Sequence, residues 1–486
     1  MATASKISLS TDVPAIVHVE TLDRDATDTT SSLLNHNHTL HDIVFDAVGR
    51  HNHIVHHILA SFALGADAET LQKQYDQNAS YQRPPPPADD DVVNALGGNS
   101  KVFFDTMAKP ENYSTFLAFF TRKLSSASIP DVLNEYVFDE TQLATTIFNR
   151  FFAGYYHPLI HLGYGVEFNQ PAIVAEALAQ ACVHSTYLDA FFELTAAAAK
   201  TATPDTMVNL LDKIREDPIV STAAHWEDGQ KVRDGVLARA KYEMIAYAAQ
   251  WRLSAPYTQE SLEEAAAEVI NADAYFTGAA QHPPKVVKMD FFYMHAVNSS
   301  IFLSVFLAQE WIAPPAKAKL VEWKGRLDLA LYASRRAPRL LLDEIANYPA
   351  NDNGREASLL LCWDDMFAAA SRFMDDGHTA KFIRALANGE RACAPYENNG
   401  SKHAGSSVED GGHGHVNGHA NGDKLNGENK HDDRWKIKGD MWRRLAMMVL
   451  DSVQPEKGER WARSVGFDEA WNDFGFRKNY SSKNGA

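Results

Sequence analysis

Apolar positions recur every three to four residues along most of this chain, the period of a helix that buries one face. The pattern is clearest over residues 103–124, 129–151, 172–199, 230–252, 261–272, 291–311, 316–345 and 435–453. Good helix formers fill these stretches, and prolines or capping residues separate them. No stretch alternates apolar and polar residues between hairpin turns, so the pattern predicts an all-α fold built as a single large multi-helical domain. Three segments depart from it. Residues 1–35 are rich in Thr, Ser and Asp and predict a poorly ordered lead-in to a helical domain spanning 36–486. Arg83-Pro-Pro-Pro-Pro-Ala-Asp-Asp-Asp91 predicts a stiff, exposed polyproline connection. Residues 398–433 hold Gly, Asn, His, Asp and Ser with almost no large apolar side chain. Their histidines (His403, His413, His415, His419 and His431) lack a core to fix them, so this reads as a disordered surface insertion instead of a metal site.

Composition narrows the function. With 45% hydrophobic and 10% aromatic residues the chain has material for a large core. A formal charge of -17 argues against nucleic acid or an anionic membrane as partner, because both require clustered Lys and Arg. Cys182, Cys362 and Cys393 show no CxxC spacing, which removes a thiolate zinc site and suits a reducing compartment. No apolar signal region and no run of about 18 apolar residues is present, so the expectation is a soluble, cytoplasmic protein.

Histidine placement carries the chemistry. Residues 51–57 hold four histidines, His51, His53, His56 and His57, at the start of an apolar run. If 46–64 is helical, His53 lies one turn from both His56 and His57, a spacing at which imidazoles converge. A second cluster is Tyr155-Tyr-His-Pro-Leu-Ile-His161, where Pro158 makes His157 a cap and points His161 inward from the first turn. Glycines on either side of Tyr164 suggest a tight backbone path beside something bulky. His184 ends an alanine-rich stretch, His295 stands among bulky apolar neighbours, and His378 and Lys381 sit at i,i+3 near a helix start. Taken singly, each reads as a core histidine satisfied by a neighbour. Several inward histidines from different helices form the pattern by which helical bundles build metal sites.

An all-nitrogen donor set excludes an iron–sulfur cluster and disfavours structural zinc. Neutral imidazoles hold Fe(II) but bring no negative charge, and the nearby carboxylates are Glu167, Glu176, Asp375 and Asp376. A buried lysine offers another route, since its neutral amine adds carbon dioxide and becomes carboxylate-like. On the residues alone Lys381 reads better as a solvated or ion-paired lysine. A zinc hydrolase would use the same histidines to activate water.

His53-x-x-His56-His with Leu64-Gly-Ala, His157-Pro-x-Ile-His-Leu-Gly-Tyr-Gly-x-Glu-Phe168 and Asp375-Asp-Gly-His-x-x-Lys381-x-x-Arg-Ala-Leu386 together resemble the fungal questin oxidase-like family. The resemblance runs from His51 to Trp471. It implies an oxidoreductase of aromatic polyketide biosynthesis that opens the central ring of an anthraquinone with O2. It also implies a dioxygenase with a non-haem Fe(II) centre of four histidines and a carboxylated lysine. Carried over by position, the expected ligands are His56, His161, His184, His295 and Lys381, with His53 and His57 as alternates for His56. His157 and His378 are then expected to face substrate or orient a ligand. The family has also been described as Baeyer–Villiger monooxygenases, which would imply a flavin. This sequence lacks a GxGxxG after a strand, so a flavin Rossmann reading fails on it.

Overall fold

The computed structural model describes residues 1–46, 48–185, 187–349, 361–397, 434–454 and 459–477. Those residues are helices and connecting loops, with isolated β-bridges and no strand among them. The all-α expectation holds. The insertion expected at 398–433 lies outside the described residues. No helix among them is long and apolar enough to cross a membrane.

Four helices surround the histidines. Ile54–Ala63 packs on Ala153–Glu167, which packs on Tyr293–Leu307; that helix packs on His378–Cys393, which returns to Ile54–Ala63. All four are buried almost throughout. Pro171–Val183 lies against the second of them from outside. The tight backbone path predicted beside Tyr164 is present: a Cβ on Gly163 would stand 2.1 Å from the Phe302 ring, so only glycine admits that helix contact.

Several expected helices are broken. The helix expected over 46–64 begins only at Ile54. Upstream, Gly49 turns the chain with φ 86°, His51 bridges to Val44, and the Asn52 side chain accepts from the Ile54 amide at 2.9 Å. Residues 172–199 split into Pro171–Val183 and Asp189–Ala199, with His184 extended between them. Residues 316–345 split after Pro314–Ser334, because Pro338 disfavours helical geometry before it and Arg336 and Ala337 take positive φ.

The lead-in also differs from expectation. Residues 1–35 bury Ile7, Val13, Val17 and Leu22, and Arg24–Leu40 is a helix capped by Asp23. A buried ion pair anchors this segment: Arg384 Nη2 meets Glu167 Oε1 at 2.7 Å. Glu167 then accepts from the Ile16 amide at 2.9 Å, and Arg384 Nε donates to the Val17 carbonyl at 3.0 Å. Polar groups locked inside the core recruit backbone that its own composition would leave loose.

A second buried network underlies the site. Lys324 Nζ lies 2.6 Å from Asp273 and 2.5 Å from Asp328, all three fully buried, and the Tyr156 hydroxyl donates to Asp328 at 2.7 Å. Burial drives the Asp273 carboxyl pKa far up, with the Asp328 charge adding to it. Tyr156→Phe removes one donor from this dry cluster and is expected to cost about 1–3 kcal/mol of stability, read as a lower urea midpoint with unchanged slope. An unchanged midpoint would show that Asp328 does not depend on the phenol.

Candidate functional site

The four surrounding helices bring His53, His157, His295 and His378 into a closed ring of imidazoles. Ring centroids are 4.8 Å apart for His53–His157, 4.9 Å for His157–His295, 5.4 Å for His295–His378 and 4.9 Å for His378–His53. Lys381, one turn after His378, is buried and bears electrostatically on all four.

Hydrogen bonds fix which nitrogen faces inward. His157 Nδ1 donates to the Gly154 carbonyl at 2.5 Å, His295 Nδ1 to Phe291 at 2.7 Å and His378 Nδ1 to Asp375 at 2.8 Å. Each therefore presents the Nε2 lone pair, the tautomer control usual behind ligating histidines. The Gly154 carbonyl is aimed by an unusual backbone, since Gly154, Tyr155 and Tyr156 all have positive φ. A Cβ on Gly154 would lie 2.7 Å from both His51 and His184. His157 Nε2 accepts from His53 Nε2 at 2.7 Å, which leaves His53 Nδ1 as a lone pair. His53 Nδ1, His295 Nε2, His378 Nε2 and Lys381 Nζ are buried without a hydrogen-bond partner.

The remaining histidines form an outer layer. His51 and His184 face each other through Nε2 at 2.9 Å, and His51 stacks on His157 at 4.1 Å. His56 Nε2 lies 3.2 Å from His161 Nδ1, and His161 Nε2 donates to Glu176 at 2.8 Å. Glu176 also takes a hydrogen bond from His38 at 2.6 Å. Burial alone would raise the Glu176 pKa, but the bonds from His161 and His38 hold it down at about 2. His57 turns away: Asn78 donates to Nδ1 at 3.0 Å and Nε2 donates to the Phe373 carbonyl at 3.2 Å, so both ring nitrogens are used. Of the three candidates in the first cluster, His53 stands in the ring, His56 one layer out and His57 outside.

Burial keeps the four ring imidazoles neutral. It lowers His51, His53, His56, His157 and His378 well below the ordinary value, with neighbouring histidines adding to the effect in all five and Lys381 in all but His51. It brings His184 to about 4 and His295 to about 3. Lys381 is lowered by burial to about 8, although Asp375 and Asp376 pull it back up. The site is a set of uncharged nitrogen lone pairs around a lysine poised to lose its proton.

As the side chains stand, no three of His, Cys, Asp or Glu among the described residues meet at one metal-sized point. Within the ring His53 and His157 are paired through their Nε2 atoms, a pairing that a common ligand would replace, while His295 Nε2 and His378 Nε2 stay unpartnered. Tyr155 and His184 are half-buried and mark the side of the cluster nearest solvent. Two shallow polar depressions, one around Lys213 and Tyr247 and one around Arg252 and Arg434, include none of the cluster residues.

A family model described as questin oxidase-like matches residues 50–386, the span that supplies all four ring histidines and Lys381. The chain belongs to the questin oxidase-like family. Questin oxidase of Aspergillus fumigatus is 36% identical over 483 residues, covering 97% of this chain and 99% of the relative. The Baeyer–Villiger oxidase ptaJ of Pestalotiopsis fici is 38% identical over 477 residues, covering 97% and 98%. The Baeyer–Villiger monooxygenase dmxR6 of Cryptosporiopsis sp. is 37% identical over 477 residues, covering 96% and 98%. Membership in the questin oxidase-like family makes this chain an oxidoreductase.

Of the residues singled out on the sequence, the structure brings His53, His157, His295 and His378 together in one ring beside Lys381 and places His56, His161 and His184 around it. His51 and His38 had no assigned role. His51 opens the histidine run at 51–57, ahead of the motif that begins at His53; His38, in Asn37-His-Thr39, carries no signal that separates it from a surface histidine.

Proposed function

We propose that this chain is an oxygenase that opens the central ring of an anthraquinone-type aromatic polyketide, with non-haem iron held in the histidine ring. The observation that carries this reading is the closed ring of four neutral imidazoles with Lys381 near enough to act on each, and four buried nitrogens that have no hydrogen-bond partner. Unpartnered buried polar atoms are costly, and a cation that takes their lone pairs removes that cost. The donor chemistry fits: His53, His157, His295 and His378 would hold the ion, and Lys381, once carboxylated, would add the negative charge they lack. His51, His56, His161 and His184 then support the ring from outside. This partition keeps His295 and Lys381 from the set implied by the resemblance and replaces the other three histidines.

When bound, iron supplies Lewis-acid and redox chemistry toward dioxygen and an electron-rich ring. The chain's own groups do the rest. Phe291 and Tyr155, with ring centroids 5.0 Å and 6.1 Å from that of His295, and Phe292, which packs on both, present aromatic surface to a flat substrate. Nδ1–H bonds to backbone carbonyls hold the ring orientations through the reaction, and burial excludes bulk water. The atoms balance without a further reductant when the substrate is the reduced hydroquinone. Hydroquinone plus O2 equals a hydroxybenzophenone carboxylic acid, with the bond between a central carbonyl carbon and its ring neighbour broken.

The relatives' names favour a second reading, a Baeyer–Villiger insertion of one oxygen beside the carbonyl followed by hydrolysis. Labelling separates the two. Turnover of a reduced polyhydroxyanthraquinone under 18O2 by iron-loaded protein is expected to place two labelled oxygens in the ring-opened acid. One label, with the second oxygen from water, would establish the Baeyer–Villiger route. Cleavage without oxygen consumption in zinc-loaded protein would replace both with a hydrolase.

A further inference from the structure

Among the described residues, Arg335 is a buried cation without a counter-ion. It follows the helix Pro314–Ser334 and is 1% exposed, yet among the described residues no carboxylate lies within ion-pair distance of it. Its contacts are neutral: Nη2 donates to the Tyr155 hydroxyl at 3.2 Å and Nη1 reaches the Ser334 carbonyl at 3.4 Å. Its guanidinium carbon lies 3.8 Å over the Phe292 ring, and Nε has no partner. Of the other buried arginines near the histidines, Arg384 has Glu167, whereas Arg150, which bears on His184, reaches Met107 Sδ. Burying a guanidinium without an anion is expensive, and a cation–π contact offsets only part of the cost.

The location gives this isolated charge a purpose. Tyr155 is half-buried, held at φ 55°, with its ring 4.8 Å from Phe292 and 6.1 Å from His295 of the imidazole ring. Its hydroxyl accepts from Arg335 and so keeps its own proton to donate. On the neighbouring Phe291 a second guanidinium, that of the exposed Arg463, lies 4.1 Å over the ring. In a chain of net charge -17, Arg335 and Arg463 lie against adjacent aromatic side chains, and among the described residues neither has a carboxylate within ion-pair distance.

We propose that Arg335 and Tyr155 form an oxyanion subsite beside the histidine ring, which takes the carboxylate or phenolate of a flat aromatic ligand. Arg335 Nε–H and Tyr155 O–H are its donors, and Phe292 and the Tyr155 ring are its walls. The ligand class deepens the oxygenase reading and rests on it; the anion preference stands on the side chains alone. Both substrate and product of ring opening can carry such a group, a phenolate in the first and the new carboxylate in the second.

The test uses metal-free full-length protein and equilibrium binding of four probes: anthraquinone-2-carboxylate, its methyl ester, 2-hydroxyanthraquinone and 2-benzoylbenzoate. Wild type is expected to prefer the acid over the ester by on the order of 10- to 100-fold, the scale of charge-assisted hydrogen bonds. Arg335→Gln is expected to bring that ratio close to one, while Arg335→Lys retains part of it. A preference for 2-hydroxyanthraquinone that rises with its ionisation marks the substrate phenolate as the source; tighter binding of 2-benzoylbenzoate marks the product carboxylate. Equal affinity for acid and ester in wild type, or an undiminished preference in Arg335→Gln, overturns the proposal. If Arg335→Gln does not fold, Tyr155→Phe carries the test, and an acid preference that it leaves intact overturns the subsite as drawn. No metal or turnover enters this measurement, so a failed ring-opening assay with an intact acid preference removes the oxygenase reading alone.

Discussion

Protein purified without chelator or nickel is expected to carry close to one iron per chain, and Lys381→Met is expected to bind iron more than about 100-fold more weakly while remaining folded. Loss of groups that merely support a ligand already costs about 10- to 100-fold, so loss of the anionic ligand itself should exceed that. The argument starts from charge. Four neutral imidazoles leave a divalent ion's charge wholly uncompensated in a buried site, and the unpartnered Lys381 Nζ stands beside all of them. With its pKa lowered to about 8 by burial, roughly one amine in ten is neutral at pH 7. That neutral amine adds carbon dioxide and releases a proton, which turns a cation that would repel the metal into an anion that holds it. Acetate is therefore expected to restore part of the iron in Lys381→Ala, where it fills the vacated space. His378→Ala should lose iron, and His184→Ala should keep most of it. The reverse pattern would return the ligands to the outer histidines His161 and His184, and full iron in Lys381→Met would remove the lysine from the site.

The residue set was legible in the chain, and the partition within it was not. Helical periodicity over 291–311 and the histidine spacings point to an all-α protein with inward imidazoles, because burial of one helix face leaves a direct imprint on sequence. The division into ring and outer layer depends on which ring nitrogen meets which acceptor. His157 presents Nε2 because the Gly154 carbonyl takes its Nδ1–H, and that carbonyl is aimed by three consecutive residues of positive φ. Two of those three are tyrosines, which no local rule would place there. His184 illustrates the same limit. Its alanine-rich surroundings predict a helix running on to residue 199, but the chain becomes extended at His184, where the imidazole meets His51. The anchoring of residues 1–35 was hidden because the Arg384–Glu167 pair that recruits them lies hundreds of positions away. The four-histidine and lysine expectation itself came from family resemblance, and spacing alone left Lys381 an ordinary lysine.

Metal-free protein is expected to lose stability steeply as pH falls from 6.5 toward 5. Burial holds His57 and His184 at about 4 and His295 at about 3 in the folded chain, whereas each titrates near 6.5 once unfolded. Below pH 6.5 the unfolded chain therefore binds protons that the folded chain refuses. The stabilisation is present in full above the unfolded value and is lost as pH falls toward the folded ones. Each such histidine contributes a slope of about 1.4 kcal/mol per pH unit, so three over 1.5 units amount to about 6 kcal/mol. A loss of that size is comparable with the whole stability of an ordinary domain, about 5–15 kcal/mol. Other groups at the site act in different windows. Glu176, held at about 2, contributes stability above its unfolded value of 4.5 that is lost only below it. Lys381, lowered to about 8, has already lost its contribution by pH 7 and adds no slope under that. Urea midpoints at pH 7.5, 6.5 and 5.5 measure the effect, and a flat series would contradict an interior of neutral imidazoles. Bound iron should move the fall to lower pH, because protons must then displace a metal from the same lone pairs. If iron leaves the pH dependence of the urea midpoint unchanged, the buried histidines are not where it binds.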